Sequence, residues 1–560
     1  MSLAPPLSRL VDKTKARFEP PSPPPGLRPP PRLEGGLPLV GHTVDFVRST
    51  LGLLDRARKE HGEVAAFDVA GKSMIAFFGP DAHEALFRAP DTTMNPSEAY
   101  KIMTPVFGEG MVYDAPPDKM AEQMKMLLPA LKDRRMRTYG ETILAEVEDA
   151  IADWGDSGTI DIVDFCRVLT NFTSSHCLIG SEFRNGMTDE FARIYHDLER
   201  GVTPLAYINA NLPIPSFRRR DKARVRLVEL ISDIVDARME SGRTGEDFLQ
   251  TLMEARYKDG RGLTHDEITG MLLAAMFAGH HTSSVTTAWT LIELCRNADY
   301  QSRLVNELDD VYGDEGPTDY GSLRRILHTE HAVKEVLRLH PPLFMLVRVA
   351  MKDFAFKGFH IPKGSWCLIS PTVSHRIPEV FAQPDRFDPD RYGPDRREDK
   401  KDWAYIPFGG GRHKCLGNAF AILQVKAILA TLLRRYEFEL LDHVEPDFHG
   451  LVIGPSEPCR LRYRRRTNVG KKKAVTEAEA AAPAPKVHLT VSVDKDLCQG
   501  HAVCVEEAPE VFGIGDDGKV DVKQAQPDPS LHAKVRSAAS YCPNNTIRLT
   551  VEPAAACPFH

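Results

Sequence analysis

The chain has 560 residues, of which 42% are hydrophobic and 27% are charged, and its formal net charge is −7. One hydrophobic core stops growing at about 250–300 residues, so we expect at least two domains. The acidic charge balance argues against a nucleic-acid partner. The sequence lacks both the apolar run of about 18 residues that a spanning helix needs and the apolar core of a signal peptide. We therefore expect a cytoplasmic protein without a transmembrane anchor.

Composition divides the chain into four segments. Ten of the first 31 residues are proline, which predicts a proline-rich, non-helical arm over residues 1–35. Residues 36–463 combine helical periodicity with short strand-like pieces, which predicts a large, mainly helical α+β domain. The basic and Ala/Pro-rich stretch 464–486 is typical of a linker. Residues 487–560 contain six Lys/Arg and ten Asp/Glu, a net charge of −4, and are predicted to form a small acidic domain.

A long helix is predicted inside the large domain. Thr264 and Glu267 form the capping-box pattern that begins a helix, and the apolar stretch MLLAAMFAGHHTSSVTTAWTLIEL follows. This stretch places Ala278, His281 and Thr282 close together. A polar residue on a buried helix is usually a hydrogen-bonded structural residue. Because an imidazole is a common proton carrier in catalysis, His281 is also a candidate for proton delivery.

A second pattern, FGGGRHKCLG (408–417), precedes another long amphipathic helix pattern. Three consecutive glycines permit a tight turn whose backbone N–H groups point inward. Cys415 follows Arg412, His413 and Lys414 at the start of the predicted helix, so we expect a lowered pKa that favours the thiolate. The length of the pattern indicates a functional cysteine rather than a buried structural one.

The other cysteines fall into two groups. The first group consists of isolated cysteines in apolar surroundings, which we interpret as small buried hydrophobic residues: Cys166, Cys177, Cys295, Cys367 and Cys459. The second group lies in the acidic domain, where Cys498, His501 and Cys504 are three residues apart and Cys542 precedes a proline. This spacing predicts a metal site.

The FGGGRHKCLG segment resembles the haem-thiolate loop of cytochrome P450 enzymes. The resemblance implies a cytochrome P450 fold in which Cys415 is the axial ligand of haem b and His413 contacts a haem propionate. Glu335 and Arg338 are similar to the first two members of the family's buried Glu-Arg-Arg network, for which Arg386 in PDRF is the expected third member. The AGHHT segment matches the family's oxygen-binding groove, and Thr282 would hydrogen-bond the bound oxygen there.

Within this family, AGHHTSS resembles the groove motif of sterol 14α-demethylases, where histidine replaces the usual acid before the threonine. YKIMTPVFGEGMVYD (100–114) resembles the same subfamily's roof over the haem. The resemblance implies that Tyr100 reaches a propionate, that Tyr113 does so or lines the pocket, and that Phe107 lines the sterol pocket. The segment that resembles the substrate entrance, 195–221, contains Glu199.

The resemblance implies that Glu199 could pair with His281 as a proton gate. A solvated charge on a helix is the simpler interpretation of Glu199. PPLFMLVRVAM (341–351) supplies Arg348 as a propionate partner. The same segment supplies three expected substrate contacts: Met345, Leu346 and Val347. Neither Lys119 nor Lys125 aligns with a further propionate partner, so that role stays unassigned.

The implied reaction is the O2-dependent removal of a sterol 14α-methyl group in three successive oxidations. One alternative is the same machinery acting on another bulky lipid, such as a triterpenoid or a fatty acid. A second alternative is a haem redox sensor or electron-transfer protein. Such a protein would need neither the groove residue Thr282 nor a proton-delivering His281.

The acidic domain resembles a bacterial-type ferredoxin, in which C-x₂-C-x₂-C and a distant Cys-Pro hold a four-iron cluster. His501 occupies the middle position, so three thiolates and a [3Fe-4S] cluster are expected. A [4Fe-4S] cluster with His501 as the fourth ligand and a zinc site are alternatives. A tethered ferredoxin would supply electrons intramolecularly, docking near Arg412 and Lys414. No nicotinamide or flavin fingerprint is present, so a separate NAD(P)H-dependent ferredoxin reductase is required.

Overall fold

A computed structural model describes residues 22–553, apart from residues 39, 182–183, 185–192, 196, 199–200, 202–209, 314–315, 317–318, 449–451, 468–469, 471–486, 543 and 545. The first of two units is rich in helices. Its helices α1–α15 are Thr43–His61, Pro80–Arg88, Ser97–Tyr100, Thr104–Phe107, Pro117–Leu127, Asp133–Ala150, Ile162–Leu178, Pro215–Ser241, Phe248–Glu254, His265–Arg296, Ala298–Tyr312, Tyr320–Leu323, Leu327–Leu339, Pro371–Ser374 and Asn418–Arg435.

The strands of this unit form small sheets at its edge. Strands β1–β12 are Val64–Val69, Lys72–Phe77, Met94–Asn95, Ser157–Asp161, Leu346–Ala350, Phe354–Phe356, Phe359–Ile361, Trp366–Ile369, Tyr436–Leu440, Pro446–Asp447, Gly454–Pro455 and Arg460–Arg465. The largest sheet has the order β1-β2-β8-β5-β3, with β2 and β8 parallel and the other pairs antiparallel. A second sheet has three strands in the order β4-β12-β9.

Helix α10 runs through two hydrophobic cores. Its N-terminal half, with Met271 and Met276, packs in the core that includes α8 and α9. Its C-terminal half, with the fully buried Trp289, packs in the larger core with α6, α7, α13 and α15. A helix that is apolar on all sides belongs inside a protein. The groove segment 278–282 therefore lies where the two cores meet.

The predicted capping box begins α10: Thr264 Oγ1 accepts from the Glu267 N–H at 3.2 Å, and Glu267 accepts from the Thr264 N–H at 3.0 Å. The isolated cysteines also match their prediction as core residues. Four of them are buried and Cys295 is partly buried.

The second unit contains α16 (Val503–Glu507), α17 (His532–Tyr541) and strands β13–β16, which are Val487–Val493, Phe512–Ile514, Val520–Val522 and Ile547–Pro553. β13 pairs antiparallel with β16, and β14 with β15. A separate small core joins these elements. The predicted fold class, a mainly helical α+β unit followed by a small α+β unit, is confirmed.

The arm predicted over residues 1–35 is partly integrated into the large unit. Arg28 forms a bridge with Phe359 and Arg32 with Ala66, and Leu33 is buried. These residues therefore extend the domain rather than leading into it. Across the described ranges, no helix is both long and apolar enough to cross a bilayer.

Candidate functional site

The cysteine loop is a tight turn that leads into α15. The Cys415 N–H donates to the Phe408 carbonyl at 2.9 Å, which closes the turn. Gly411 has φ +66°, and a Cβ there would collide with the backbone of Phe87. Only glycine combines this backbone conformation with so close an approach. The glycines of the motif thus bring the loop against α2.

The expected lowering of the Cys415 pKa is not found. Desolvation by the surrounding protein raises the pKa of the Cys415 thiol, although the residue keeps exposed surface, and the Gly417 N–H and the charge of Lys414 offset this only in part. The prediction counted the nearby charges but not the desolvation of the thiol. A coordinating metal ion deprotonates a thiol outright, so iron would supply what the polypeptide alone does not.

Basic side chains gather beside this loop. His413 Nε2 lies 2.6 Å from Asp91 Oδ1. Burial opposes ionisation of Asp91, but the hydrogen bond from His413 and the charges of Arg412 and Arg348 hold its pKa below the ordinary value. His413 and Arg348, both predicted to contact propionates, therefore share one neighbourhood. Basic side chains of this kind can also hydrogen-bond the carboxylates of a porphyrin.

The predicted Glu-Arg pair is present and fully buried. Arg338 donates to both carboxylate oxygens of Glu335, at 2.8 and 2.9 Å, and neither side chain is exposed. The third arginine, however, is Arg391, whose Nε donates to Glu335 Oε1 at 3.2 Å. The side chain of Arg386 is exposed and donates to Gln383, so its assignment to the network was wrong.

The network reaches the cysteine loop through His375. Arg338 Nη1 donates to the His375 carbonyl at 3.0 Å, and His375 Nε2 accepts from the Ile406 N–H at 2.9 Å. Accepting at Nε2 leaves Nδ1–H to donate to the Arg338 carbonyl at 3.2 Å. Ile406 lies two residues before Phe408. The buried ion pair thus braces the loop, as the resemblance implied.

The groove residues lie on one stretch of α10. Most of this helix is buried, but Ala278 is exposed. Cys415 is likewise exposed within its loop. The Thr282 hydroxyl donates to the Ala278 carbonyl at 2.6 Å. The His281 ring lies 4.6 Å from the ring of His280, whose Nε2 is 2.8 Å from the Arg167 carbonyl. Glu199, the predicted partner of His281, lies outside the described residues.

The roof segment packs against α10. The Phe107 ring meets Phe277 edge to face, with centroids 6.1 Å apart, and a Cβ on Gly270 would collide with the Phe107 carbonyl. Tyr100 packs beside Val347. The Tyr113 backbone is part of the same segment, but its side chain lies outside the described residues. Phe107 is thus brought to α10, whereas Tyr100 packs on the side of Val347 and Val349.

The sequence interpretation missed Arg224 on α8, which holds the roof. Its guanidinium donates to the carbonyls of Val106 at 3.0 Å and Phe107 at 3.1 Å, and to Asp266 Oδ1 at 2.9 Å. Gly108 has φ +103°, and a Cβ there would collide with Arg224 Nη2. No local motif signals such a residue, because its partners lie more than 40 positions away.

Gln123 hydrogen-bonds the C-terminal part of the roof segment. It is fully buried, accepts from the Val112 N–H at 2.8 Å and donates to the Gly110 carbonyl at 3.2 Å. Val112 has φ +48°, which is rare for a β-branched residue and persists only where its surroundings impose it. Lys119, considered above for a propionate, pairs with Glu267 at 3.2 Å.

Strand β5 separates the predicted substrate contacts. Leu346 packs near Gly409 and Arg348 near Phe87, both on the side of the cysteine loop. Met345 and Val347 pack instead in a small cluster with Ala99 and Tyr100. Successive side chains of a strand point to opposite faces. Of the three predicted contacts, Leu346 is therefore the one on the side of the cysteine loop.

The residues predicted to form a metal site in the second unit share its core. Cys498 and Cys504 are buried and Cys542 packs beside them. Burial, together with the charges of Cys542 and Cys498, raises the pKa of Cys504 to about 12. Among the described residues, no three His, Cys, Asp or Glu side chains are close enough to hold a single metal ion.

His501 is the fourth residue of this predicted metal site. Its side chain is buried, and the backbone of Leu131, in the large unit, is close enough to hydrogen-bond its ring. Burial lowers its pKa to about 4, so the imidazole is neutral. Three thiols and a buried, neutral imidazole suit iron and sulfide, since both groups ligate iron.

Lys414 lies between the two sites. Burial lowers its pKa to about 8, while the thiols of Cys542 and Cys415 both act in the opposite direction. The structure therefore places the predicted docking residue Lys414 at the contact of the units. Arg412 is exposed, and its charge acts on Asp91.

Two family models match the chain. One, described as Cytochrome P450, matches residues 30–459, and the other, 4Fe-4S single cluster domain, matches residues 491–549. The chain is 45% identical over 447 residues to the sterol 14alpha-demethylase of Mycobacterium tuberculosis, covering 78% of this chain and 99% of that protein. It is 39% identical over 450 residues to the obtusifoliol 14-alpha demethylase of Triticum aestivum, covering 78% and 99%.

A mammalian relative, the lanosterol 14-alpha demethylase of Bos taurus, is 36% identical over 449 residues, covering 79% of this chain and 89% of that protein. The solved structure of retinoic acid-bound cyanobacterial CYP120A1 has a TM-score of 0.71 at 24% identity, covering 79% of this chain and 100% of that chain, which shows the fold. The two family models imply haem and an iron–sulfur cluster. The chain therefore belongs to the cytochrome P450 family, in its sterol 14α-demethylase group, with a C-terminal iron–sulfur domain.

Proposed function

We propose that this protein removes the 14α-methyl group of lanosterol-like sterols. The reaction comprises three successive oxidations, through alcohol and aldehyde, each of which consumes one O2 and two electrons. The methyl carbon leaves as formate and a C14–C15 double bond forms. The observation that carries the proposal is the nearly end-to-end match to 14-demethylases of a bacterium and a plant.

The residues of the large unit take distinct roles in this proposal. Cys415 would ligate haem iron, and haem would supply the oxygen-activating chemistry. His413 and Arg348 would hold its propionates, and the propionate contact of Tyr100 remains a prediction. Thr282 and His281 would deliver protons, and the pairing of His281 with Glu199 remains a prediction. The sterol pocket would include Phe107, Ala278 and Leu346.

The C-terminal domain is proposed as the electron donor. Three cysteine thiols and His501 in the fourth position favour a [3Fe-4S] cluster over a [4Fe-4S] cluster. A separate NAD(P)H-dependent ferredoxin reductase would reduce this cluster. A tethered donor raises its effective concentration near the acceptor, so each reduction becomes an intramolecular event.

A spectral titration of the haem-loaded full chain tests the sterol proposal. We expect lanosterol to produce a saturable low-spin to high-spin shift, with palmitate producing none. Turnover with NAD(P)H, a ferredoxin reductase and O2 should then yield formate. A shift with palmitate alone would favour the fatty-acid alternative. A loaded protein that cycles between redox states without consuming sterol would favour the sensor.

A further inference from the structure

A hydrogen bond joins the cysteine loop to the iron–sulfur domain. Gln499 Nε2 donates to the Lys414 carbonyl oxygen at 3.0 Å. Gln499 directly follows Cys498, a predicted cluster ligand, and Lys414 directly precedes Cys415, the predicted haem ligand. One side-chain amide therefore connects the backbone beside one metal site to the backbone beside the other.

A second connection runs parallel to the first. Asn544 Nδ2 donates to Gln499 Oε1 at 2.8 Å and to the Leu497 carbonyl at 3.2 Å. Asn544 Oδ1 in turn accepts from Asn418 Nδ2 at 3.3 Å. Asn544 lies two residues after Cys542. Asn418 begins α15 and, like Asn544, is buried. The three amides Gln499, Asn544 and Asn418, of which the two asparagines are buried, form a bridge between the units, here called the amide bridge.

Charged pairs join the two units elsewhere in their contact. Arg324 meets Glu507 at 2.7 Å and lies 3.7 Å over the ring of Tyr541. A second pair joins Arg88 to Asp494 at 3.2 Å. Rim charges of this kind steer association and are screened by salt. Neutral hydrogen bonds at the centre of an interface depend instead on geometry, and they set the register of the two surfaces.

We propose that Gln499, Asn544 and Asn418 are positioning residues for electron entry. This inference rests on the proposed function of the C-terminal domain as the electron donor. In the step, the reduced cluster loses one electron and ferric haem gains one, with no proton transferred. NAD(P)H, through the reductase, restores the reduced cluster. The amide bridge fixes the distance between the cluster and the haem, because it hydrogen-bonds to the backbone beside a predicted ligand of each.

The test uses the full chain loaded with haem and cluster. A photoreductant reduces the cluster in a laser flash under carbon monoxide, and the spectrum then reports reduction of the haem. Gln499→Glu and Asn418→Asp each replace a donating amide by an acceptor of the same size, one in each domain. We expect haem reduction to slow by about tenfold or more in each. Gln526→Glu changes an exposed glutamine of the same domain and should leave the rate unchanged.

Two further readouts separate positioning from damage. The haem and cluster absorption spectra of the variants should equal those of the parent, and hydrogen exchange over residues 411–418 should become faster. Variants with intact spectra that reduce haem at the parental rate would overturn the inference. If Gln499→Glu loses its cluster, the rate of haem reduction in Asn418→Asp is the deciding measurement, because this substitution leaves the donor domain unaltered. A parent chain whose reduced cluster never reduces the haem would instead refute the proposed donor function.

Discussion

Arg391 Nε lies 3.2 Å from Glu335 Oε1, and neither side chain is exposed. Arg338 binds the same carboxylate from the other side at 2.8 Å. Two guanidinium groups therefore neutralise one buried carboxylate, and the Asp388 N–H adds a hydrogen bond at 2.9 Å. Removing one partner from such a cluster leaves an undercompensated charge in the interior.

We predict that Arg391→Ala lowers the free energy of unfolding by about 3 kcal/mol, because Glu335 then keeps a buried charge with one arginine fewer. The variant should also retain less haem, since the same network braces the cysteine loop. Urea unfolding followed by circular dichroism and the haem content of purified protein measure both effects.

Arg386→Ala is the matched control for this prediction. Arg386 takes part through its carbonyl, which accepts from Arg338, and its side chain is exposed. The control should change stability by no more than about 0.5 kcal/mol. Equal destabilisation by the two substitutions would contradict the assignment of Arg391.

Arg224→Gln should release the roof over the site. The substitution removes charge-assisted hydrogen bonds to the carbonyls of Val106 and Phe107. We expect the dissociation constant for lanosterol to rise by about tenfold, with faster hydrogen exchange over residues 106–114. A spectral titration and exchange mass spectrometry measure these effects.

Arg226→Gln, two positions away, alters a solvent-exposed pair with Glu229 and serves as the control. It should leave both measurements unchanged. If Arg224→Gln bound lanosterol as tightly as the parent, Arg224 would hold the roof without shaping the sterol pocket.

Stability should fall in mild acid because of His83. Burial lowers the pKa of His83 to about 4 from its ordinary 6.5. Between these values the unfolded chain binds a proton that the folded chain does not, so stability falls as pH decreases through this window. His83 alone should cost about 2 kcal/mol between pH 7.5 and pH 5.

The urea midpoint at the two pH values measures this loss. His83→Gln should be less stable at pH 7.5, because His83 hydrogen-bonds the Trp403 carbonyl and Ser374, but its loss on acidification should be smaller. His443 is exposed, so His443→Gln should lose as much stability on acidification as the parent does. An undiminished pH effect in His83→Gln would show that other groups cause it.

His501→Cys should change the cluster. A fourth thiolate in the position of the neutral imidazole completes a four-cysteine set, so we expect iron per cluster to rise from three to four. Iron and sulfide analysis with electron paramagnetic resonance checks this. His488→Cys adds an exposed cysteine elsewhere in the domain and should leave the cluster unaltered. Three irons in His501→Cys would mean that position 501 does not set the cluster type.

The parts of the site that could be predicted are those that the sequence carries locally. The turn from Phe408 to Cys415 and the capping box of Thr264 and Glu267 depend on neighbours within a few residues. The two cores around α10 follow from one long apolar segment. The fold class was therefore predictable, as was the neighbourhood of Cys415.

The errors arise where tertiary contacts decide. PDRF and PDRY lie five residues apart, and only the packing against Glu335 selects Arg391 over Arg386. The pKa of Cys415 depends on desolvation, which the surrounding fold determines. Arg224 acts on carbonyls about 117 positions away. The alternation along β5, by contrast, could have separated Leu346 from Val347 on periodicity alone.

The most direct test of the central claim follows one carbon atom. Lanosterol labelled at its 14α-methyl group is incubated with the loaded full chain, a ferredoxin reductase, NAD(P)H and O2. We predict that the label leaves the sterol as formate, with three O2 consumed for each formate released. Label that stays on the sterol during sustained O2 and NAD(P)H consumption would contradict the account.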